Sequence, residues 1–279
     1  MNGRERIKRT LSHQEPDRVP LDLGSSGQTG MQVSTVYNLR QALKLDPPGT
    51  PVKVSEPFQM LGEIKPDLQE ILGVDAVGAG GPKNFFGFET DGWKPWTTFD
   101  GTPVLVPEKF NTVPNEKGEI FQYPEGDQSV EPSAVMPKGG FYFDSIVRQP
   151  PIDEEKLDPR DNTEEFTILT QKELDHMRAQ VTRLDAETDQ AIVLTLGNMA
   201  FGDIALVPGP TLKNPKGIRD MEEWYISTVT RKDYVYSVFE RQCEIALENL
   251  PKIYEAVGNL PTIVWVSGTD FGAQNNSFI

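Results

Sequence analysis

Four times along this chain a short apolar run breaks into a glycine-bearing loop. The first is Val19-Pro20-Leu21-Asp22-Leu23, ending in Gly24-Ser25-Ser26-Gly27. The second is Val74-Asp75-Ala76-Val77, ending in Gly78-Ala79-Gly80-Gly81, and the third spans 191–196 and ends in Gly197-Asn198. Pro261 opens the fourth, which runs through Val264-Trp265-Val266 and breaks at Gly268 into Thr269-Asp270-Phe271-Gly272-Ala273-Gln274. Stretches this far apart cannot be joined by tight hairpins, and crossovers of a dozen residues or more join parallel strands. The pattern therefore predicts an α/β fold whose strand-end loops share one edge, the edge where such folds hold ligands.

The crossovers read as capped helices. Residues 2–12 carry Asn2 as a cap with Glu5 three residues on, and Ile7 and Leu11 on one face. A second helix, at about 35–45, places Val36, Leu39 and Leu43 together and closes at Pro47-Pro48-Gly49; Pro66 starts a third. Thr170 and Glu173 form a capping box ahead of Leu174, Met177, Val181 and Leu184. A Pro- and Gly-rich loop at 207–217 precedes the longest helix, about 230–257, with Thr230 and Asp233 as its cap. Its expected buried stripe is Val235, Val238, Phe239, Ile245, Ala246, Leu250, Ile253 and Val257.

Residues 82–150 differ. Apolar and aromatic runs alternate with Asp91-Gly92, Asp100-Gly101 and Glu116-Lys117-Gly118, which predicts an antiparallel β insertion. Four parallel strands with long crossovers suit an open sheet or half of a (β/α)8 barrel. The half-barrel reading takes residues 1–279 as one domain of barrel descent, C-terminally incomplete, since a half barrel leaves open strand edges.

Composition narrows the function classes. Forty-two acidic against 27 basic residues give a net charge of −15, which argues against nucleic acid as the partner, because phosphate binding needs clustered Lys and Arg. No run approaches the length needed to span a bilayer, and the basic N-terminus leads into polar Ser12-His13-Gln14 rather than a signal core. A single cysteine, Cys243, excludes an intrachain disulfide framework and fits a reducing cytoplasm.

Gly3-Arg4-Glu5-Arg6 together with His13-Gln14-Glu15-Pro16-Asp17-Arg18-Val19-Pro20 resembles the opening of uroporphyrinogen decarboxylase-like proteins, a family that includes cobalamin-dependent methyltransferases. Leu72-Gly73-Val74-Asp75-Ala76 is similar to the family's second-strand entry, and residues 218–234 to the region before its long helix. Thr269-Asp270-Phe271-Gly272-Ala273-Gln274 resembles its strand-end motif, usually written with two aspartates. The resemblance implies a (β/α)8 barrel and corrinoid-dependent methyl transfer to a thiol or folate-type acceptor. Methylcobalamin would be carried by a corrinoid partner protein, and zinc would be held by a His-x-Cys pair and a later Cys. His13, His176 and Cys243 do not have that spacing, so this chain alone is expected to bind no zinc and to be inactive. Porphyrin decarboxylation is the first alternative. It is disfavoured because the loop Gly24–Gly30 has no arginine for the substrate's carboxylates. A non-catalytic binding or assembly subunit, or an inactive fragment, is the second.

Within that frame Asp270 is the first catalytic candidate, orienting an acceptor or accepting a proton, against a plain helix cap. Asp22 is the second; it lies inside the first run and either faces the strand ends or pairs with an arginine such as Arg18. Gln274 reads as a polar orienter or a surface residue. Gly24, Gly27, Gly80, Gly81, Gly197 and Asn198 sit at strand ends, where glycine serves close ligand approach or a tight turn. His13 reads as a turn residue, His176 as solvated, and Cys243 as a buried inert thiol. Trp93 and Trp96 read as packing across the insertion or as a stacking platform.

Overall fold

The computed structural model describes residues 1–268 and Ser277; for 197–199 it describes the backbone path alone. In chain order the regular elements are α1 (Gly3–Leu11), α2 (Val33–Ala42), β1 (Val52–Glu56), β2 (Leu61–Gly62), α3 (Pro66–Leu72) and β3 (Ala76–Ala79). The strands β4 (Lys94–Thr97), β5 (Pro103–Val106), β6 (Ile120–Gln122), β7 (Ala134–Met136) and β8 (Asp144–Ser145) follow. The chain then forms α4 (Gln171–Glu187), β9 (Ala191–Ala200), α5 (Met221–Thr230), α6 (Lys232–Val257) and β10 (Ile263–Ser267). No helix among the described residues is long and apolar enough to cross a membrane.

The architecture is mixed α/β with three small sheets, none of them closed. Strands β3, β9 and β10 form a parallel sheet in the order β10-β9-β3, so their C-terminal ends share one edge, as the glycine pattern requires. One face of this sheet packs Ala76, Ala191 and Val193 against Ile7 of α1. The other packs Ile192, Leu194 and Leu196 against Val181 of α4 and Ala246 and Ile253 of α6. Burial on both faces is what a continuous apolar run such as Ile192-Val193-Leu194 needs.

The first expected strand, 19–23, is not a strand. It runs beside β3, and the Asp75 amide donates to the Leu21 carbonyl at 2.7 Å. Pro20 has no N–H to give, and the Leu21 amide turns to the Asp75 carboxylate instead of the backbone, so no ladder forms. What holds this segment is charge. Asp75, 2% exposed, accepts from Arg6 at 2.5 Å and from both terminal nitrogens of Arg18 at 2.7 and 2.9 Å. Arg6 also grips Asp17 through two bonds, and that pairing holds the Asp17 carboxyl well below the ordinary carboxylate range. The residues of the opening motif and those before β3 are thus one ion network with a buried centre, Arg6 and Asp75, and exposed ends, Asp17 and Arg18; Gly3 closes it, since its Cβ would lie 2.9 Å from the Asp75 backbone.

Residues 82–150 form hairpins outside the parallel sheet. Strand β4 pairs antiparallel with β5, and β6-β7-β8 is an antiparallel sheet of its own. The sequence reading missed that β1 and β2 join this region. Strand β1 pairs parallel with β5, giving the order β2-β1-β5-β4. Val33 and Val36 of α2, Val52 and Val54 of β1, and Phe86, Phe88, Phe110 and Phe143 make its core. Trp96 packs on Phe110 with ring centres 5.5 Å apart, and the Lys53 ammonium lies 4.8 Å over Trp93, so both tryptophans are engaged in the insertion.

Both predicted capping boxes form, at Asn2/Glu5 and Thr170/Glu173. The predicted Thr230/Asp233 cap does not. The chain is already helical as α5 through Thr230, whose hydroxyl bonds back to the Ile226 carbonyl at 2.9 Å, and α6 starts with no side-chain cap. Leu11, Leu43 and Leu250, assigned to buried stripes, are exposed, and so is Cys243.

Candidate functional site

A cavity of about 590 Å³ opens beyond the end of β3 and beside the middle of β9, between the parallel sheet and the strand-rich region. Gly80, Gly81 and Asn84 line it after β3, Thr195 and Leu196 line it from β9, and Phe85 closes the insertion side. A volume of this order suits a small-molecule ligand. At Gly80 and Gly81 the backbone has no left-handed φ, and a Cβ at Gly80 would meet nothing closer than 3.8 Å. Neither turn geometry nor crowding requires glycine there; the missing side chains widen the cavity.

The walls are fixed by polar clamps from the helices. The Gly80 amide donates to Gln180 Oε1 on α4 at 3.0 Å, and the Gln180 amide nitrogen lies 2.9 Å from His176 Nε2, one helical turn away. The sequence reading took His176 as solvated; it instead steadies a strand-end loop. Asn249 of α6, fully buried, accepts from the Leu169 amide at 2.8 Å and donates to the Thr167 carbonyl at 2.9 Å, holding a third wall. An Asn in register with the apolar stripe, three residues after Ala246 and four before Ile253, was the available sign of this clamp.

The fourth wall carries charge. Glu165 lines the cavity, and Arg219, fully buried, donates to Glu165 Oε1 at 2.9 Å and to the Lys216 carbonyl at 2.6 Å. Burial pushes the Glu165 carboxyl above the ordinary range, and the Arg219 charge and hydrogen bond pull it back in part. Arg148 reaches over the Pro- and Gly-rich loop, donating to the carbonyls of Leu212 at 2.7 Å and Gly209 at 2.6 Å. Burial lowers its pKa, and nearby Arg219 lowers it further. Two guanidiniums thus set the shape of a loop that has little regular structure of its own. Among the described residues Lys83 is the single lysine lining the cavity, and no arginine lines it.

The other predicted residues lie elsewhere. Asp22 accepts from the Ser25 hydroxyl at 2.5 Å and from the Ser25 amide at 3.3 Å, which closes a turn. Arg18, one predicted partner of Asp22, pairs with Asp75. The turn at Asp22 presses on β3, where a Cβ on Gly78 would sit 2.1 Å from the Ser25 carbonyl oxygen, but it does not line the cavity. Gly24 has φ +84° and packs on Ile64, and Gly27 faces Gln59, so both belong to the connection toward β2. Gly197 and Asn198 fall within β9, not in a loop after it, because pairing of Ala200 with Ser267 carries the strand on. Asp270 and Gln274 lie outside the described residues. Asp203, which sequence reasoning did not select, accepts from the Ser267 hydroxyl and so ties the end of β10 to the loop after β9.

Among the described residues no group of three His, Cys, Asp or Glu side chains is placed to hold a metal ion. His13 ends α1 in a left-handed turn, His176 is on α4 and Cys243 is on the outer side of α6, so the zinc set implied by the resemblance is not assembled from them. No family model, curated protein or solved structure matches this chain.

Proposed function

We propose that this chain is a uroporphyrinogen decarboxylase-like protein of barrel descent, acting in corrinoid-dependent methyl transfer, and that the cavity beyond β3 and beside β9 receives a small methyl acceptor. The observation that carries the reading is the position of the cavity, at the C-terminal end of the parallel strand β3, where α/β folds of both open and closed kinds bind ligands. The ion network of Arg6, Asp17, Arg18 and Asp75 supports it by giving the resembling motifs a common structural purpose.

The choice of acceptor over porphyrin follows from charge. A porphyrin with many carboxylates needs several charge-assisted donors, and among the described residues the cavity wall offers Lys83 alone. A thiol or folate-type nitrogen instead loses one proton as it gains a methyl group. Glu165, raised by burial and facing the cavity, is placed to take that proton when ionised. Arg219 holds the carboxylate in place, and Asn84 and Thr195 offer polar atoms to orient the acceptor. The corrinoid belongs to the partner and supplies the transferable methyl group. No step is assigned to zinc, because the described residues do not fit it.

The test is to mix the purified chain with a methylated corrinoid protein and a small thiol and to follow loss of the methyl–cobalt absorbance. The sequence alone predicts an inactive chain, whereas the placement of Glu165 in the cavity predicts methyl transfer that falls about 100-fold in Glu165→Gln, with folding unchanged. No transfer by the parent chain would return the inactive-fragment reading. Decarboxylation of uroporphyrinogen by the same preparation would overturn the reading.

A further inference from the structure

Helix α6 carries two apolar stripes, and the fold uses one. Val235, Val238, Ala246 and Ile253 are buried. Tyr236, Cys243, Leu247, Leu250 and Tyr254 recur at seven, four, three and four residues and are exposed, Tyr236 by 65%, Leu247 by 62% and Tyr254 by 60%. At 1.5 Å per residue this outer stripe is about 27 Å long, with the spacing by which helices pack ridge to groove. Isolated exposed leucines are ordinary, but a periodic line of them on a long helix is an interaction surface.

Charge selects the occupant. At 100° per residue, Glu240, Glu244 and Glu255 lie about 40°, 80° and 100° round α6 from Tyr236, all on one flank of the stripe. They are exposed and make no ion pair among the described residues, whereas Glu248 is held by Lys252 at 3.0 Å. A second copy would bring the same flank and another −15 of net charge, and an anionic membrane would be repelled by that flank.

We propose that the outer face of α6 docks a basic amphipathic helix of a partner protein. Its apolar residues meet the Tyr236–Tyr254 line and its lysines or arginines meet Glu240, Glu244 and Glu255. This rests on none of the methyl-transfer reading, and its failure would leave that reading untouched.

The probe is a synthetic helix of about three heptads with Leu at the core positions and Lys elsewhere, set against a counterpart with Glu in place of Lys. Affinity is measured by titration calorimetry, and the contact is located by the rate at which Cys243, the only cysteine, is alkylated. The Lys peptide is expected to bind at least about tenfold tighter than the Glu peptide and to slow Cys243 alkylation by a similar factor. The double change Leu247→Glu, Leu250→Glu, at exposed positions, should weaken binding about tenfold although it adds negative charge, and Glu244→Lys should weaken it as well. Val229→Glu on α5, outside the stripe, should change nothing. Equal binding of the two peptides, unprotected Cys243, or affinity indifferent to the leucine changes would overturn the proposal. So would sedimentation showing a dimer that the leucine changes dissolve, since the occupant would then be a second copy.

Discussion

Different interactions hold the parallel sheet and the strand-rich region around β1 and β5 in register. In the parallel layer, pieces far apart in sequence are joined by arginines: buried Arg6 and exposed Arg18 on buried Asp75, buried Arg219 on Glu165, and half-buried Arg4 on Asp185 at 2.5 Å. In the strand-rich region the centre is aromatic, with Phe86 stacked 6.0 Å from Phe88 and edge-on to Phe143 at 5.8 Å. Its buried charge, Arg40 on Asp46 and Asp67, sits at the margin on α2. A hairpin region finds its register from turns and can be finished by hydrophobic filling. Parallel strands have no turn to set their neighbours, and here directional charge pairs do that work.

The largest effect expected from this contrast is at Asp75. Asp75→Ala leaves Arg6 and Arg18 without their shared acceptor, and removing one side of a buried pair costs about 3–5 kcal/mol. Denaturant unfolding should show it, with hydrogen exchange rising first in β3 and the 19–25 segment; protection lost instead around β5 would break the comparison. Next is Gly78→Ala, expected to cost about 3 kcal/mol because its Cβ would overlap the Ser25 backbone. Gly80→Ala, two residues on, should stay within about 0.5 kcal/mol, since nothing stands near its Cβ and its φ is ordinary. Equal costs at the two glycines would mean that the strand end, not the neighbouring turn, is what is crowded.

Phe86→Leu should cost about 1–2 kcal/mol, a filling defect and not a broken pair, and should leave exchange in β9 unchanged. The smallest effect is in acid. Arg40 hydrogen bonds hold Asp67 down to about 2 and hold Asp46 below its ordinary value. Their folded pKa values are depressed, so their contribution is present above the ordinary carboxylate range and is lost as pH falls toward about 2. Glu56 works in the opposite direction, because burial raises its pKa, and its protonation on acidification favours the fold. Tryptophan fluorescence, followed downward from pH 5, should report loosening near Trp93 and Trp96 that Arg40→Met brings to higher pH. If that variant and the parent respond alike, α2 is not anchored by this pair.

Legibility followed distance along the chain. The boxes at Asn2/Glu5 and Thr170/Glu173 were readable because donor and acceptor are three residues apart, and the hairpins of 82–150 because their turn residues are local. The stripe on α6 was readable as to period but not as to phase. Leu250 fits the buried set by spacing, yet is 47% exposed, because the packing of α4 and β9 fixes which side faces inward. The strand at 19–23 failed for a reason visible only in space: Asp75 takes the Leu21 amide that a ladder would need.

For the candidate site, Gly80 was named from its place after an apolar run, and it lines the cavity. Glu165, Gln180 and Asn249 were not, because each acts across 50 to 100 residues of sequence separation, on Arg219, on the Gly80 amide and on the Leu169 amide. Hydrophobic period, caps and turn residues by themselves determined that this chain makes parallel β–α units with a hairpin insertion, since those signals arise from contacts between near neighbours. Tertiary structure alone decided that β1 joins the insertion, which arginine holds which carboxylate, and which face of α6 is left bare. Those choices depend on desolvation and on the meeting of side chains from distant segments, and neither is encoded in any local window of sequence.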